Sequence, residues 1–251
     1  GSTSPALDGC EVRIHDVIAD PEPPADFFEG IDAVLHLAWR DGFVLASPNH
    51  PRDLSAHYRF LTGAASNGVA TIAGVGTMHE IGYWEGAISA DTPSKPQNLY
   101  GVAKAALRDS LALTFDKSET VFQWLRCYYL TGDEERSNSV LNKVLTADQQ
   151  GKKEFPFTSG TNVYDFTDVA DVAAMMATAI TQSAVTGVIE CATGSPVALK
   201  DAVETFIDSR GLEIRLAYGA FPDRPFDSPG VWGDPTKIND ILAGATARDA
   251  E

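Results

Sequence analysis

The chain has 251 residues, 44% of them hydrophobic, which is enough for one substantial core and excludes a disordered tail. Its 19 Lys and Arg stand against 35 Asp and Glu, and the formal charge of −16 repels nucleic acid and anionic membrane surfaces. Three cysteines without CxxC spacing (Cys10, Cys127, Cys191), no membrane-length apolar run and no signal-peptide pattern at Gly1 to Ser4 point to a cytoplasmic protein without structural zinc or a disulfide scaffold.

In chain order, Cys10 to Val17 predicts a strand that ends at an acidic residue. Ala25 to Gly30 predicts a short helix stopped by glycine. Ile31 to Trp39 is a short apolar run and predicts a buried parallel strand. A helix follows over Asp53 to Asn67, with Gly68 as its stop, then a strand over Val69 to Val75. Gly76 to Pro96 reads as a long loop, and Asn98 to Phe115 as a long helix. Val121 to Leu130 predicts a strand, Val140 to Gln150 a helix, and Phe155 to Asp165 an irregular to extended stretch. Val169 to Ile180 is helical, capped by Thr167 or Asp168. Gly187 to Ala192 predicts a strand, Leu199 to Arg210 a helix closed by Gly211, and Ile214 to Tyr218 a last strand. Phe221 to Pro235 reads as loop, followed by a short helix over Lys237 to Leu242.

This alternation predicts an α/β fold, a mostly parallel sheet with helices on both faces. Residues 1–132 form the main unit, and 133–251 mix helix and loop into a smaller lobe that returns some segments to the sheet. A GxGxxG turn between strand and helix is not found; Gly74, Gly76 and Gly82 are only loosely spaced.

The sharpest local signal is Tyr100-Gly101-Val102-Ala103-Lys104. Tyr and Lys at this spacing share one face of a helix. An ammonium beside a phenol favours the phenolate, which lets tyrosine exchange a proton with a substrate oxygen. Thr77 lies just past a predicted parallel strand, where open sheets bind ligands, and can hold the same oxygen.

Several stretches in correct order resemble the extended short-chain dehydrogenase/reductase family, the NAD(P)-dependent epimerases, dehydratases and ketoreductases of nucleotide sugars. They are IHDV, DAVLHLA, AGVGTMHEIG, PQNLYGVAK, LRCYYLTG, YDFTDVADVA, GVIECATGSPVALKDAV and RPFDSPGVWGDPTKINDIL. The resemblance implies a Rossmann-like sheet and a smaller C-terminal substrate lobe. It implies NAD or NADP held by Asp16, Leu37, Ala38, Tyr100, Lys104 and Cys127. It implies catalysis by Thr77, Tyr100 and Lys104, and a nucleotide-sugar substrate met by His79, Tyr83, Tyr129 and Arg224. A homodimer packed through the helix from Asn98 is the further implication.

Three departures qualify it. The family's opening glycine-rich unit is absent from this sequence, which is therefore expected to be incomplete ahead of Cys10. Tyr129 stands where many epimerases carry asparagine, and Tyr164 replaces the arginine of an R-D-F segment. Met78, His79 and Glu80 after Thr77 are not the Asp-Glu pair of a dehydratase, so 4-keto reduction or epimerisation is the expected reaction. A non-catalytic dinucleotide-binding protein and a small-carbonyl reductase are the alternatives.

The other polar residues have structural readings. His36 is expected as a buried, hydrogen-bonded histidine, and Arg126 as half of an ion pair. Asp165, Asp168 and Asp171 read as helix caps and surface charge, and Cys127 and Cys191 as core. Glu80, with His79, is a loop residue or a substrate contact, and Trp84, with Tyr83, a pocket wall or a loop anchor.

Overall fold

The computed structural model describes residues 9–42, 44–132, 139–223 and 228–249. The first half runs β1 (Ala33–His36), α1 (Asn49–Ser66), β2 (Thr71–Thr77), β3 (Gly86–Ile88), α2 (Leu99–Phe115), β4 (Val121–Cys127) and β5 (Tyr129–Thr131). The second half runs α3 (Val140–Gln149), β6 (Glu154–Pro156), β7 (Val163–Tyr164), β8 (Phe166–Asp168), α4 (Val169–Ile180), β9 (Gly187–Cys191) and β10 (Val197–Ala198). It ends with α5 (Leu199–Arg210), β11 (Arg215–Ala217), β12 (Gly230–Gly233) and α6 (Thr236–Asp249).

The main sheet has the order β1-β2-β4-β9, and every pair in it is parallel. Successive side chains on a strand point to opposite faces, and β4 shows what that does here. Phe122 and Trp124 enter one core with Phe60, Leu61, Leu107 and Leu111 of α1 and α2. Leu125 and Cys127 enter the other, with Val172 and Met176 of α4 and Ile238 and Ile241 of α6. Burial on both faces is why these strands read as continuous apolar runs. Gly74 on β2 serves the first core, because a Cβ there would lie 2.5 Å from the Trp124 ring. It is a packing glycine of a strand rather than part of a phosphate-binding turn.

A second sheet, β10-β7-β12-β3, stands beyond the C-terminal ends of the main strands. The β12 pairings, parallel to both β3 and β7, bring residues 230–233 back to the first half. Buried Asp165 fastens this region: its carboxylate accepts from the Thr193 and Gly194 amides at 3.0 and 2.9 Å. α3, α5, β6 and β11 enclose a separate core around Val144, Phe157, Val203 and Ile214.

The structure departs from the sequence expectations in a few places. Cys10 to Val17 joins no strand ladder among the described residues, and Val12 and Ile14 are 65% and 95% exposed; a strand exists only through its ladder. α1 starts at Asn49, since Pro51 falls in its first turn, where proline costs no helical hydrogen bond. The loop 76–96 contains a 3-10 turn over Met78–Glu80 and strand β3. β12 lies within the stretch expected as loop, and α6 continues beyond Leu242 through an alanine-rich segment. Asp165 is buried rather than on the surface, while Asp168 does cap α4 through the Ala170 amide at 2.8 Å. No helix among the described residues is long and apolar enough to cross a membrane.

Candidate active site

Thr77 is the last residue of β2, at the C-terminal end of the parallel sheet. A capping box fixes the turn that follows. Thr77 Oγ1 accepts from the His79 amide at 3.3 Å, and Glu80 Oε1 accepts from the Thr77 amide at 2.7 Å. Helix α2 begins beside this turn, with Asn98 Oδ1 accepting from the Gly101 amide at 2.8 Å. The approach is close enough that a Cβ on Gly101 would lie 2.8 Å from the His79 carbonyl carbon. The glycine after Tyr100 is therefore what lets the first turn of α2 rest on the Thr77 turn. Tyr100 comes near enough to Thr77 for that side chain to favour its ionised form, and its ring meets His79 with centroids 6.0 Å apart.

Lys104 follows one turn later and is 4% exposed. Its Nζ donates to Val75 O at 2.7 Å and lies 4.0 Å from the centre of the Trp39 ring. Burial pulls Lys104 down to about 8, against the opposing charge of Glu80. Burial pushes Tyr100 up to about 12, reinforced by Cys127 and Glu80 and opposed by the Thr77 side chain. The expectation that Lys104 lowers the tyrosine pKa is thus corrected. Nζ is 5.9 Å from the phenol ring centroid, and burial, not this ammonium, sets the direction for Tyr100. The resting phenol is an acid.

Of the residues expected to hold a cofactor, Asp16 and Ala38 meet in one open cleft of about 480 Å³, walled also by Trp39, Arg40 and His57. Asp16 Oδ1 accepts from the Ile18 and Ala19 amides at 3.0 Å each, which holds its carboxyl below the usual range. Leu37 is 64% exposed and outside that wall. Cys127 is buried at the end of β4, in register with Thr77, and its thiol is pushed up to about 12.

The residues expected to meet substrate are spread more widely. His79 packs against Tyr100, as above. Tyr83 is 45% exposed and donates to Glu85. Tyr129 packs at a tilt against Tyr164 and Phe166, centroids 4.4 and 5.6 Å apart and planes 36° and 49° from parallel. The two departures noted in sequence, Tyr129 and Tyr164, are therefore partners. Arg224 lies outside the described residues.

Glu80 is fully buried, and its oxygens serve the protein. Besides Thr77 it accepts from Trp124 Nε1 at 2.9 Å and Arg108 Nη1 at 2.8 Å, with Arg126 Nη2 at 3.4 Å. Arg126 also pairs with Glu190 at 2.6 Å, as the ion-pair reading expected. Glu190 accepts from the Tyr128 hydroxyl at 2.9 Å, and burial pushes Glu190 up to about 7. His36 is buried and hydrogen-bonded to His57 at 2.9 Å. Trp39, His50 and His57 were not singled out from sequence. His50 and His57, seven apart on one face of α1 with Asp53 between them, were the available signal. Among the described residues no cluster suits a metal ion.

The chain is similar to known proteins along most of its length. A family model described as the NAD dependent epimerase/dehydratase family matches residues 12–192. A dTDP-6-deoxy-L-talose 4-dehydrogenase (NAD(+)) from Aggregatibacter actinomycetemcomitans is 40% identical over 232 residues, 90% of this chain and 84% of that enzyme. Among solved structures, MoeE5 in complex with UDP-glucuronic acid and NAD is 25% identical with a TM-score of 0.69, covering 87% of this chain and 75% of that one. The UDP-N-acetylglucosamine 4-epimerase of Methanobrevibacter ruminantium M1 superposes with a TM-score of 0.76 at 19% identity, covering 86% of this chain and 72% of its own. That likeness supports the fold alone. With its parallel sheet, its Thr77, Tyr100 and Lys104 at the strand ends and a family match over most of its length, this chain belongs to the NAD dependent epimerase/dehydratase family.

Proposed function

We propose that this protein is an NAD-dependent oxidoreductase acting at carbon 4 of a nucleotide-linked deoxysugar in the cytoplasm. Residues 1–132 carry the cofactor, and 133–251 contribute the substrate lobe. The observation that carries this reading is the Thr77, Tyr100 and Lys104 set at the C-terminal end of the sheet, in a chain 40% identical to a dTDP-6-deoxy-L-talose 4-dehydrogenase.

The residues present fit the cofactor. Asp16 makes no described hydrogen bond through Oδ2 and lines the same cleft as Ala38. Lys104 uses one donor on Val75 O, and an ammonium has two more. In this reading Asp16 and the backbone at Leu37 and Ala38 receive the adenosine end, while Lys104 holds the nicotinamide ribose. Cys127 backs that end of the cleft from the core. A cofactor bound there would supply a hydride acceptor for a secondary alcohol carbon in its oxidised form and a hydride donor for a ketone in its reduced form.

The chain handles the proton. In reduction, Tyr100 Oη gives its proton to the ketone oxygen as charge develops there. In oxidation, Tyr100 acts as the phenolate, its own proton having passed to solvent, and takes the alcohol proton. Thr77 Oγ1 supplies the second hydrogen bond that orients the substrate oxygen. His79, Tyr83 and Tyr129 contact the sugar, and Arg224 the diphosphate. A homodimer through α2 completes the reading, supported by Leu113 and Val102, 81% and 44% exposed on that helix. Leu113→Glu is expected to convert the dimer to monomer in sedimentation velocity, and a wild-type monomer overturns the dimer.

The test is incubation with NAD and dTDP-6-deoxy-L-talose, followed by nicotinamide absorbance and product mass. Net reduction of NAD with a product lighter by one H₂ supports the dehydrogenase. An isomeric product without net reduction assigns epimerisation instead. No turnover with this or other nucleotide sugars, in either direction, overturns the proposal.

A further inference from the structure

Trp39 follows β1 at the sheet's C-terminal edge and belongs both to the Asp16 cleft and to the surroundings of Lys104. Its indole is held more firmly than a loop residue requires. Nε1 donates to His50 Nδ1 at 3.1 Å. That bond needs a lone pair on Nδ1, so the His50 proton sits on Nε2, which donates to Val44 O at 3.0 Å. His57 stacks on the indole with centroids 4.4 Å apart and planes 13° from parallel. His57 is fixed in turn by His36, at 2.9 Å. On the next residue, Arg40 Nη2 pairs with Asp53 Oδ1 at 2.7 Å, which ties the segment to α1.

The Lys104 ammonium lies against this restrained ring, 4.0 Å from its centroid. Glu80 is the buried acid whose charge reaches Lys104, but its oxygens are committed to Thr77, Trp124 and the two arginines. Among the described residues no carboxylate makes an ion pair with Lys104. Its direct partners are one carbonyl and aromatic faces, with Trp39 the nearest. The negative face of an indole attracts a cation, and more strongly where water is excluded.

We infer that Trp39 is a positioning residue for Lys104: its ring face, oriented by His50 and His57, holds the ammonium at the junction of the cofactor cleft and Tyr100. The inference rests on the proposed role of Lys104 in holding the nicotinamide ribose. The work falls to the ring's quadrupole and not to its volume. Phenylalanine at this position keeps an aromatic face, whereas leucine fills space without one.

The experiment compares wild type, Trp39→Phe and Trp39→Leu by NAD titration and by NMR of lysine side chains labelled with ¹³C and ¹⁵N. The Lys104 ε-methylene signals are expected upfield, under the ring current, in wild type and the phenylalanine variant, and near ordinary lysine positions in the leucine variant. NAD affinity is expected to fall about tenfold in Trp39→Leu and only about twofold in Trp39→Phe. A packing role predicts equal effects from both, and equal effects overturn the inference. So does an ordinary Lys104 shift in wild type, a readout that needs no variant to fold. Lys104→Ala separates the two layers. If it turns over like wild type, the assigned role of Lys104 falls, and this inference with it. If it loses turnover while the leucine and phenylalanine variants match, Trp39 alone is excluded.

Discussion

Tyr100 and the buried pair His36 and His57 carry the sharpest single-residue consequences. Tyr100→Phe keeps the ring against His79 and the first turn of α2 but removes the proton. It is expected to lower turnover by about 10²- to 10⁴-fold while NAD affinity changes little, checked by kcat and NAD titration on the same sample. His36 and His57 are held down to about 3 and 4 by burial, helped by neighbouring positive charge. Below the ordinary histidine value of 6.5 the unfolded chain binds protons that the folded one refuses. Stability is therefore lost as pH falls from 6.5 toward 4, by about 2 kcal/mol per histidine at pH 5. Melting temperatures across that range are expected to drop steeply in wild type and less steeply in His36→Gln. Parallel curves overturn the assignment. The placement of Thr77 at a strand end and of Tyr100 and Lys104 on one helix was legible because these signals are local. The direction of the tyrosine shift was not legible, because it depends on how deeply α2 presses onto the turn after β2.

At the scale of elements, β2, its capped turn and the start of α2 act as one part. Glu80 cements it from below, accepting from the Thr77 amide, the Trp124 indole and Arg108. Gly101 sets the distance from above, since its missing Cβ is what admits the His79 carbonyl. Gly101→Ala leaves every polar group in place but forces backbone to move. It is expected to cost about 1–3 kcal/mol of stability and to lower kcat more than it raises KM, since Tyr100 shifts away from Thr77. Denaturant unfolding and steady-state kinetics check the two halves separately. The helices were readable nearly to the residue where caps announce them, as at Asn98, Asp168 and Gly211. Strand β12 was not, because Gly230 to Gly233 reads as loop until β3 and β7 stand on either side of it.

Across the whole molecule, alternation of strand and helix made the parallel sheet predictable, whereas the contacts that join its two halves carry no local pattern. Arg126 on β4 reaches Glu190 on β9 and Glu80 in the turn, and Asp165 gathers the amides of Thr193, Gly194 and Gly233. Arg126 announces a need for a partner by standing on an apolar strand, but which residues answer it, and which answer Asp165, is hidden because they lie far along the chain. The tilted contact of Tyr129 with Tyr164 belongs to this class, joining a residue just past β4 to one in the second sheet. Its consequence concerns how the protein can change. At the two positions where the sequence departs from the motifs it resembles, this chain has two tyrosines that lean on each other, so a change at either one disturbs the other. Tyr129→Asn and Tyr164→Arg are each expected to damage sugar binding, and the double variant to be less impaired than the two losses combined, by about 1 kcal/mol of coupling in a double-mutant cycle. Strict additivity sinks the idea. Altered preference for a new sugar, in evolution or in engineering, would then require paired substitutions, with each intermediate less fit than either end.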